Sequence, residues 1–442
     1  MWILGLVWAF AGEASSLTLA AALAEATRDN PEYAAVRLGA ERARLALLSS
    51  GSQLGPQLSA SVLVDQDGTL SWQGGASERL PGGGSLSVSL VKPTPDTGVS
   101  PTVTLIQPLL EGTRGLGALR SARLEAADEA LAARAALEGL TLSVSASYWS
   151  LVAARESRTY ADQSVLFAEQ QHRATEERLS EGFAGSGDLL QVRRALGVAR
   201  QAAVIAASEE ENAELSFARL LGRDLATRPH LVLVDRPEPP AELPERDQIL
   251  EAARLANTTW LRASLSRDVA EEAFKQARVA ALPSLDASTS WAGAPLASEG
   301  GGAQSWALGL SLSAPLVPVS IITELQRARL AWEQAELAWY AAEQDLVLAV
   351  EAAVREVRRD RLRLSLASET LAAAEAGLAA DQSLLVDGRG SARDVVRSLE
   401  SLNAAQVDRL RTEIALQSSM LELERIRGSL LGRLGLEPQR GR

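Results

Sequence analysis

The sequence predicts a mainly α-helical protein with a membrane β portion, built as a tandem repeat of helix, strand, strand, helix and helix. Three observations carry that prediction. The same landmarks occur twice at nearly fixed spacing, and long stretches without proline keep a seven-residue apolar period. Two blocks rich in Ser, Thr, Val, Gly and Trp, each bounded by proline, show the two-residue alternation of strands.

The chain opens on an apolar run, Trp2 to Ala11, of about ten residues, too short to span a bilayer. It reads as the core of a signal peptide, with Gly12, Glu13 and Ala14 offering a small-x-small cleavage site, so residues 1–14 form the expected signal segment. The basic residues that usually precede such a core are missing. No later segment reaches the roughly 18 uninterrupted apolar residues of a transmembrane helix, so any membrane-spanning part must be made of strands.

The two halves then repeat each other. Asn30 and Asn257 each stand 26 residues before a proline, Pro56 and Pro283, which open PQLSAS and PSLDAS. Each half reaches a second proline followed by leucine, Pro108-Leu109 and Pro315-Leu316, and the second half is 20 residues shorter between its prolines. Gly182 and Gly388 each lie six residues before an aspartate, Asp188 and Asp394, and the tetrapeptide LLGR closes each half at 220–223 and 430–433. These landmarks place a first repeat at 15–227 and a second at 246–437. A proline-rich linker at 228–245 joins them, and a tail at 438–442 follows.

Each repeat starts helical, with Asp29-Asn30-Pro31 as punctuation in the first. Alternation such as Leu58, Ala60, Val62 against Ser59, Ser61 then marks strands within about 56–108, and Leu308, Leu310, Leu312 against Ser311, Ser313 marks them within 283–315. Two strands per repeat give four per chain. Four strands cannot enclose a lumen and an open edge in lipid leaves backbone groups unsatisfied, so several chains must share one barrel. Trp72, Trp291 and Trp306 are candidates for an interfacial aromatic belt. The 20 extra residues of the first block, with PGGG at 81–84, either lengthen a loop or add a hairpin.

From Arg114 to Ser180 a helix of about 100 Å is expected, far too long for a globular core. Its counterpart keeps a strict seam, Val350, Val357, Leu364, Leu371, Leu378 and Leu385, the period of a left-handed coiled coil. The first copy holds the same register as Val144, Leu151, Arg158, Val165, His172 and Leu179, broken at Arg158 and His172. Alanine at 353, 367 and 374 lets neighbouring helices approach closely. Stacked half-length helices beside such rods would pack as a hollow cylinder of paired coiled coils.

Composition removes other classes. Cysteine is absent, so disulfides, thiolate metal sites and a lipid-bearing N-terminal cysteine are ruled out. A net charge of −12, with only Lys92 and Lys275 beside 42 arginines, leaves no basic face for nucleic acid. Two histidines, His172 and His230, offer little for nucleophile-base pairs or metal clusters, and Glu209, Glu210 and Glu211 read as a solvated helix face. No enzyme activity, catalytic residue, cofactor or metal is expected.

The opening LTLAAALAEATRDNPE, the PQLS strand start, the QPLLEG strand end and the duplicated G-x5-D tip resemble the TolC-like outer membrane efflux protein family over about residues 17–437. The resemblance implies a homotrimer with a twelve-stranded barrel in outer membrane lipid and an α-helical coiled-coil tunnel in the periplasm. It also implies a periplasmic adaptor protein as partner and, through it, an inner membrane transporter. The function implied is the duct of a tripartite efflux or type I secretion system.

In that family the helix-helix turns form a periplasmic tip where the adaptor docks and the tunnel constricts. Carried onto this sequence, the tip residues are Gly182, Phe183, Ala184 and Asp188 in the first repeat and Leu385, Gly388, Arg389, Asp394 and Arg397 in the second. Glycine suits a turn needing positive φ, and aspartate suits capping the next helix. Arg397 stands where some members place a pore-facing aspartate, and Leu385 where some have a tyrosine that locks the closed tip. The competing reading is a periplasmic or envelope coiled-coil tether without a pore, which leaves the two proline-bounded strand blocks without a use.

Overall fold

Two buried asparagines hold the helical part in register. The computed structural model describes residues 16–52, 55–64, 70–80, 83–92, 99–110, 114–182, 185–227, 231–235, 243–293, 304–314, 319–387 and 389–436. The expected signal segment, most of the linker, the tail and the tip residues Phe183, Ala184 and Gly388 lie outside these ranges.

The first repeat runs β1 (Ser16–Leu17), α1 (Leu19–Asp29), α2 (Pro31–Ser52), β2 (Gln57–Val64), β3 (Leu70–Arg79), β4 (Ser85–Lys92), β5 (Ser100–Pro108), α3 (Arg114–Ser180) and α4 (Ser186–Leu220). A short 3-10 turn and β6 (Val232–Leu233) follow. The second repeat runs α5 (Arg246–Ala256), α6 (Thr258–Ala280), β7 (Ser284–Ala292), β8 (Ser305–Ser313), α7 (Val319–Val386), α8 (Ala392–Arg427) and α9 (Leu430–Arg433). The expectation of two strands in each proline-bounded block holds for the second block and is corrected for the first, which has four, β2 to β5, among the described residues. The extra residues are long enough for a complete hairpin, β3 and β4, turning at Gly83 with φ 80°.

The chain divides into two units. One comprises Met1–Ala35, Ala135–Asn257 and Leu346–Arg442. In it, α1 starts on Thr18, whose Oγ1 accepts from Ala21 N at 3.2 Å, and ends on Asn30. Asn30 Oδ1 accepts from Tyr33 N at 3.0 Å, capping α2, while Nδ2 donates to Leu220 O at 2.9 Å. Pro31 occupies the first helical position, where its missing N–H costs nothing. The second repeat reproduces this splice, with Asn257 Nδ2 donating to Ile426 O at 2.9 Å.

A glycine lies beside each splice. Gly222 and Gly428 have φ of 77° and 80°, and a Cβ on either would fall 2.4 Å from Asp29 O or 2.5 Å from Ala256 C. The structural counterpart of Leu220–Arg223 is therefore 426–429, and the LLGR at 430–433 is a separate short helix, α9, so its sequence match with 220–223 does not mark equivalent positions. Around the first splice a core gathers Leu23, Val144, Trp149, Phe217 and Leu221 about Tyr148. The Tyr148 hydroxyl donates to Leu17 O and accepts from Asp235 N, both at 3.2 Å, tying the parallel β1–β6 pair to α3. Burial pushes the Tyr148 phenol above its usual pKa.

The long-helix seam faces inward as its period requires: Val144, Leu151, Val350 and Val357 are buried, and the lower seam positions 364, 371, 378 and 385 are half-buried. Ala353 and Ala367 are buried beside them. Arg158 leaves the seam to pair with Glu210 at 2.8 Å, and Arg155 reaches both Glu210 and Glu214. Glu210 is thus an interhelical anchor rather than part of a solvated face, while Glu209 and Glu211 are exposed.

The other unit, Val36–Arg134 with Thr258–Asp345, contains a six-stranded antiparallel sheet of order β2-β3-β4-β5-β7-β8. Beside it Phe274 stacks on Trp332 at 5.8 Å, and Arg262 grips Asp128 through two bonds of 2.9 and 3.0 Å. None of the described helices is long and apolar enough to cross a membrane.

Gly428→Ala must adopt a strained positive φ and press on Ala256, so a loss of about 1–3 kcal/mol is expected. Gly139→Ala, in an α3 interior position with nothing within 4 Å, is expected to be neutral or stabilising by up to roughly 1 kcal/mol. Thermal unfolding followed by helical circular dichroism, with both variants in one detergent, checks the contrast.

Candidate functional site

Two regions carry groups aimed at something other than the chain's own core. The first is the pair of hairpin tips. After α3, Gly182 turns the chain at φ 81°, donating to Leu179 O at 3.1 Å. Gly185 N then donates to the Asp188 carboxylate at 3.1 Å, so Asp188 closes the first turn of α4. After α7, Arg389 N and Gly390 N both donate to Leu384 O, at 2.9 and 2.8 Å. A Cβ on Gly390 would lie 2.9 Å from Leu385 N, which explains a glycine there.

Ser391 caps α8. Its Oγ accepts from Asp394 N at 3.2 Å and donates to Asp394 Oδ2 at 2.6 Å. That bond, helped by the nearby Arg397 and Arg393 guanidiniums, holds the Asp394 carboxyl below its ordinary pKa. Arg397 Nη1 stands 3.9 Å from Asp394 Oδ1, and both side chains are open to solvent. Leu385 is half-buried, while Asp188 and Arg389 are exposed.

Two contacts were not singled out from sequence. Arg393 Nε donates to Gln191 Oε1 at 2.7 Å, linking the start of α8 to the start of α4, and Ser398 Oγ bonds Asp381 across the α7–α8 hairpin. Arg393 and Gln191 flank the two tip aspartates, so their place beside the turns was the available signal.

The second region is the sheet, whose two faces differ in chemistry. One carries Leu58 and Val62 on β2, Val88 and Leu90 on β4, Val103 and Leu105 on β5, and Leu308, Leu310 and Leu312 on β8. The opposite face carries Ser77 and Ser87 on the added hairpin, Thr102 and Thr104 on β5, and Ser288 and Ser290 on β7. Among the described side chains the hydroxyl face bears only two charges, Arg79 at the β3–β4 turn and Asp286 near the start of β7, after α6.

The three tryptophans lie toward the opposite strand ends and on the apolar face. Trp72 is near the start of β3, between Val62 and Lys92, and Trp291 sits directly across from Trp306. The expected belt residues are thus grouped toward one end of the sheet, as an aromatic girdle would require. A shallow apolar dent of about 480 Å³ opens where Gly74, Ala60 and Ala76 replace larger side chains.

Residues 249–429, most of the second repeat, match the protein family described as outer membrane efflux protein. No curated protein matches the chain significantly. Among solved structures, its fold is similar to a membrane protein from Pseudomonas aeruginosa, at TM-score 0.72 and 18% identity over 93% of each chain. It is also similar to the outer membrane protein VceC from Vibrio cholerae, at TM-score 0.70 and 15% identity over 93% of this chain and 96% of that one. The open-state MtrE outer membrane channel of Neisseria gonorrhoeae follows at 0.69 and 18%, over 93% and 89%.

Because the folded pKa of Asp394 is depressed, its contribution to the start of α8 is present above the unfolded carboxyl pKa and is lost as pH falls through the folded value. Near neutral pH, Asp394→Asn is expected to speed hydrogen exchange at the start of α8. After correction for intrinsic rates, that difference should vanish well below pH 3.8, the ordinary aspartate value. A difference that persists in acid would remove the carboxylate from this role.

Proposed function

We propose that the protein is the outer membrane duct of a tripartite efflux or type I secretion system. It works as a homotrimer, with the apolar sheet face against outer membrane lipid, the hydroxyl face toward water and the helices in the periplasm. Cargo arrives from an inner membrane transporter through a periplasmic adaptor protein. The observation that carries this reading is the two-faced sheet, apolar on one side and hydroxyl-rich on the other, with tryptophans grouped at one end. A coiled-coil tether has no use for such a sheet.

The helices support assembly of several copies. In the single chain Leu38 and Leu45 on α2, and Leu330 and Leu337 on α7, are more than 60% exposed at seven-residue spacing, the pattern of a seam awaiting a neighbour. The tips supply the adaptor contact and the resting constriction through Gly182, Phe183, Ala184, Asp188, Leu385, Gly388, Arg389, Asp394 and Arg397. Pairing of Arg397 with Asp394 makes the second tip a mixed-charge surface instead of a doubled acidic ring. The work is passage, not covalent chemistry, and it calls for no cofactor or metal.

Single-channel recording of detergent-extracted protein in planar bilayers tests this reading, with Asp394→Asn and Arg389→Gln alongside. Small wild-type conductance rising several-fold in the variants is expected from a tip closed by these side chains. Folded protein that forms no channel, wild type or variant, sinks the duct and leaves the tether.

A further inference from the structure

Among the described residues the hairpin β3–β4 occurs in the first repeat without a counterpart in the second, and it lies inside the sheet, between β2 and β5. It pairs over eight residues with β2 and seven with β5, so no gap separates it from the strands that both repeats share. Its faces continue theirs. One row crosses all six strands as Leu58, Ala76, Val88, Val103, Trp291 and Trp306, apolar at every step. The adjacent row, on the other face, reads Gln57, Ser77, Ser87, Thr104, Ser290 and Ala307.

A hairpin standing in water beyond a membrane has no physical reason to keep an apolar face matched row by row to lipid-facing neighbours. A wall strand requires it. The strands are 8 to 10 residues long, close to the roughly 9 to 11 of a tilted membrane strand. Glu78 and Lys92, the charges on the apolar face of the hairpin, stand toward its opposite ends, where a wall strand would meet water.

The sheet's edges are β2 and β8, and with six antiparallel strands they run in opposite directions. The β8 edge of one copy can therefore pair antiparallel with the β2 edge of the next, with every copy upright and every apolar face outward. We infer that all six strands stand in the wall, so that three copies close an eighteen-stranded barrel. Two strands per repeat would give twelve. Barrel diameter grows roughly linearly with strand number, so the lumen is about one and a half times as wide. This inference rests on the outer membrane duct reading and commits the two edges to further copies of the same chain.

The natural absence of cysteine makes the test direct. Single cysteines are placed at Ser87 and Val88 in the hairpin, and at Ser311 and Leu310 in β8, and outer membranes are treated with a membrane-impermeant maleimide. Native mass spectrometry counts copies in the extracted complex. Ser87→Cys and Ser311→Cys should label at least tenfold faster than Val88→Cys and Leu310→Cys, in a complex of three.

If β8 alternates while the two hairpin positions label alike, the hairpin lies outside the wall; the inference is overturned and a twelve-stranded duct stands. Alternation in both with a complex of two also overturns it, since two copies close twelve strands. If Leu310→Cys labels as fast as Ser311→Cys, no lipid covers β8, and the duct reading falls together with this one.

Discussion

An antiparallel sheet with a water-repelling face and two unpaired edges is physically incomplete as a single chain. In water the leucines of β8 stay exposed, and in lipid the edge N–H and C=O groups of β2 and β8 would each go unsatisfied at a cost of several kcal/mol. Only closure with further copies removes both penalties at once. The exposed heptad leucines of the helices point the same way, so in the proposed assembly sheet and helices would meet one constraint together. The even number of strands makes that constraint easy to satisfy, because it lets identical chains join head to tail without inverting any of them.

The helical part solves a different problem, that of packing helices of 67 and 68 residues beside shorter partners. Where two helices are spliced end to end, orphan N–H and C=O groups arise at the junction. Asn30 and Asn257 settle them by donating to a carbonyl of the helix alongside, and Asn30 also caps the helix that follows. Gly222 and Gly428 then let that neighbouring helix end against the junction at a distance that any side chain would block. The same two positions, an asparagine at the junction and a glycine beside it, recur in both repeats, so the splice is a property of the unit rather than of either copy.

Much of this was legible in the sequence, for reasons that differ by element. The limits of α3, Arg114 and Ser180, could be read because a long proline-free run ends at a Glu-Gly turn, and a heptad seam has few alternatives to a coiled coil. The strand count of the first block was harder. A loop and a hairpin share the glycines and prolines of residues 81–101, and only pairing decides between them. The LLGR match misled because a tetrapeptide records composition, whereas equivalence here depends on which glycine takes a positive φ beside which carbonyl. Glu210 was misread for a similar cause: its partners Arg155 and Arg158 lie more than 50 residues away, beyond any local pattern.

The two repeats have diverged where function would divide them and stayed alike where packing forbids change. Splices, seams and tip glycines repeat, but only the first repeat widens the sheet, and the tips close by different chemistry. Asp188 holds the backbone N–H of Gly185 in the first, while Ser391 and Asp394 hold each other in the second, with Arg397 alongside. Each chain therefore presents two tips of different kinds, and the polar Arg393–Gln191 bond couples them. The hydroxyl face of the sheet, carrying only Arg79 and Asp286 among its described side chains, offers little electrostatic discrimination. In the proposed duct, selection by charge would fall to the tips, where Arg397 and Asp394 stand together in solvent, and the strands would provide width.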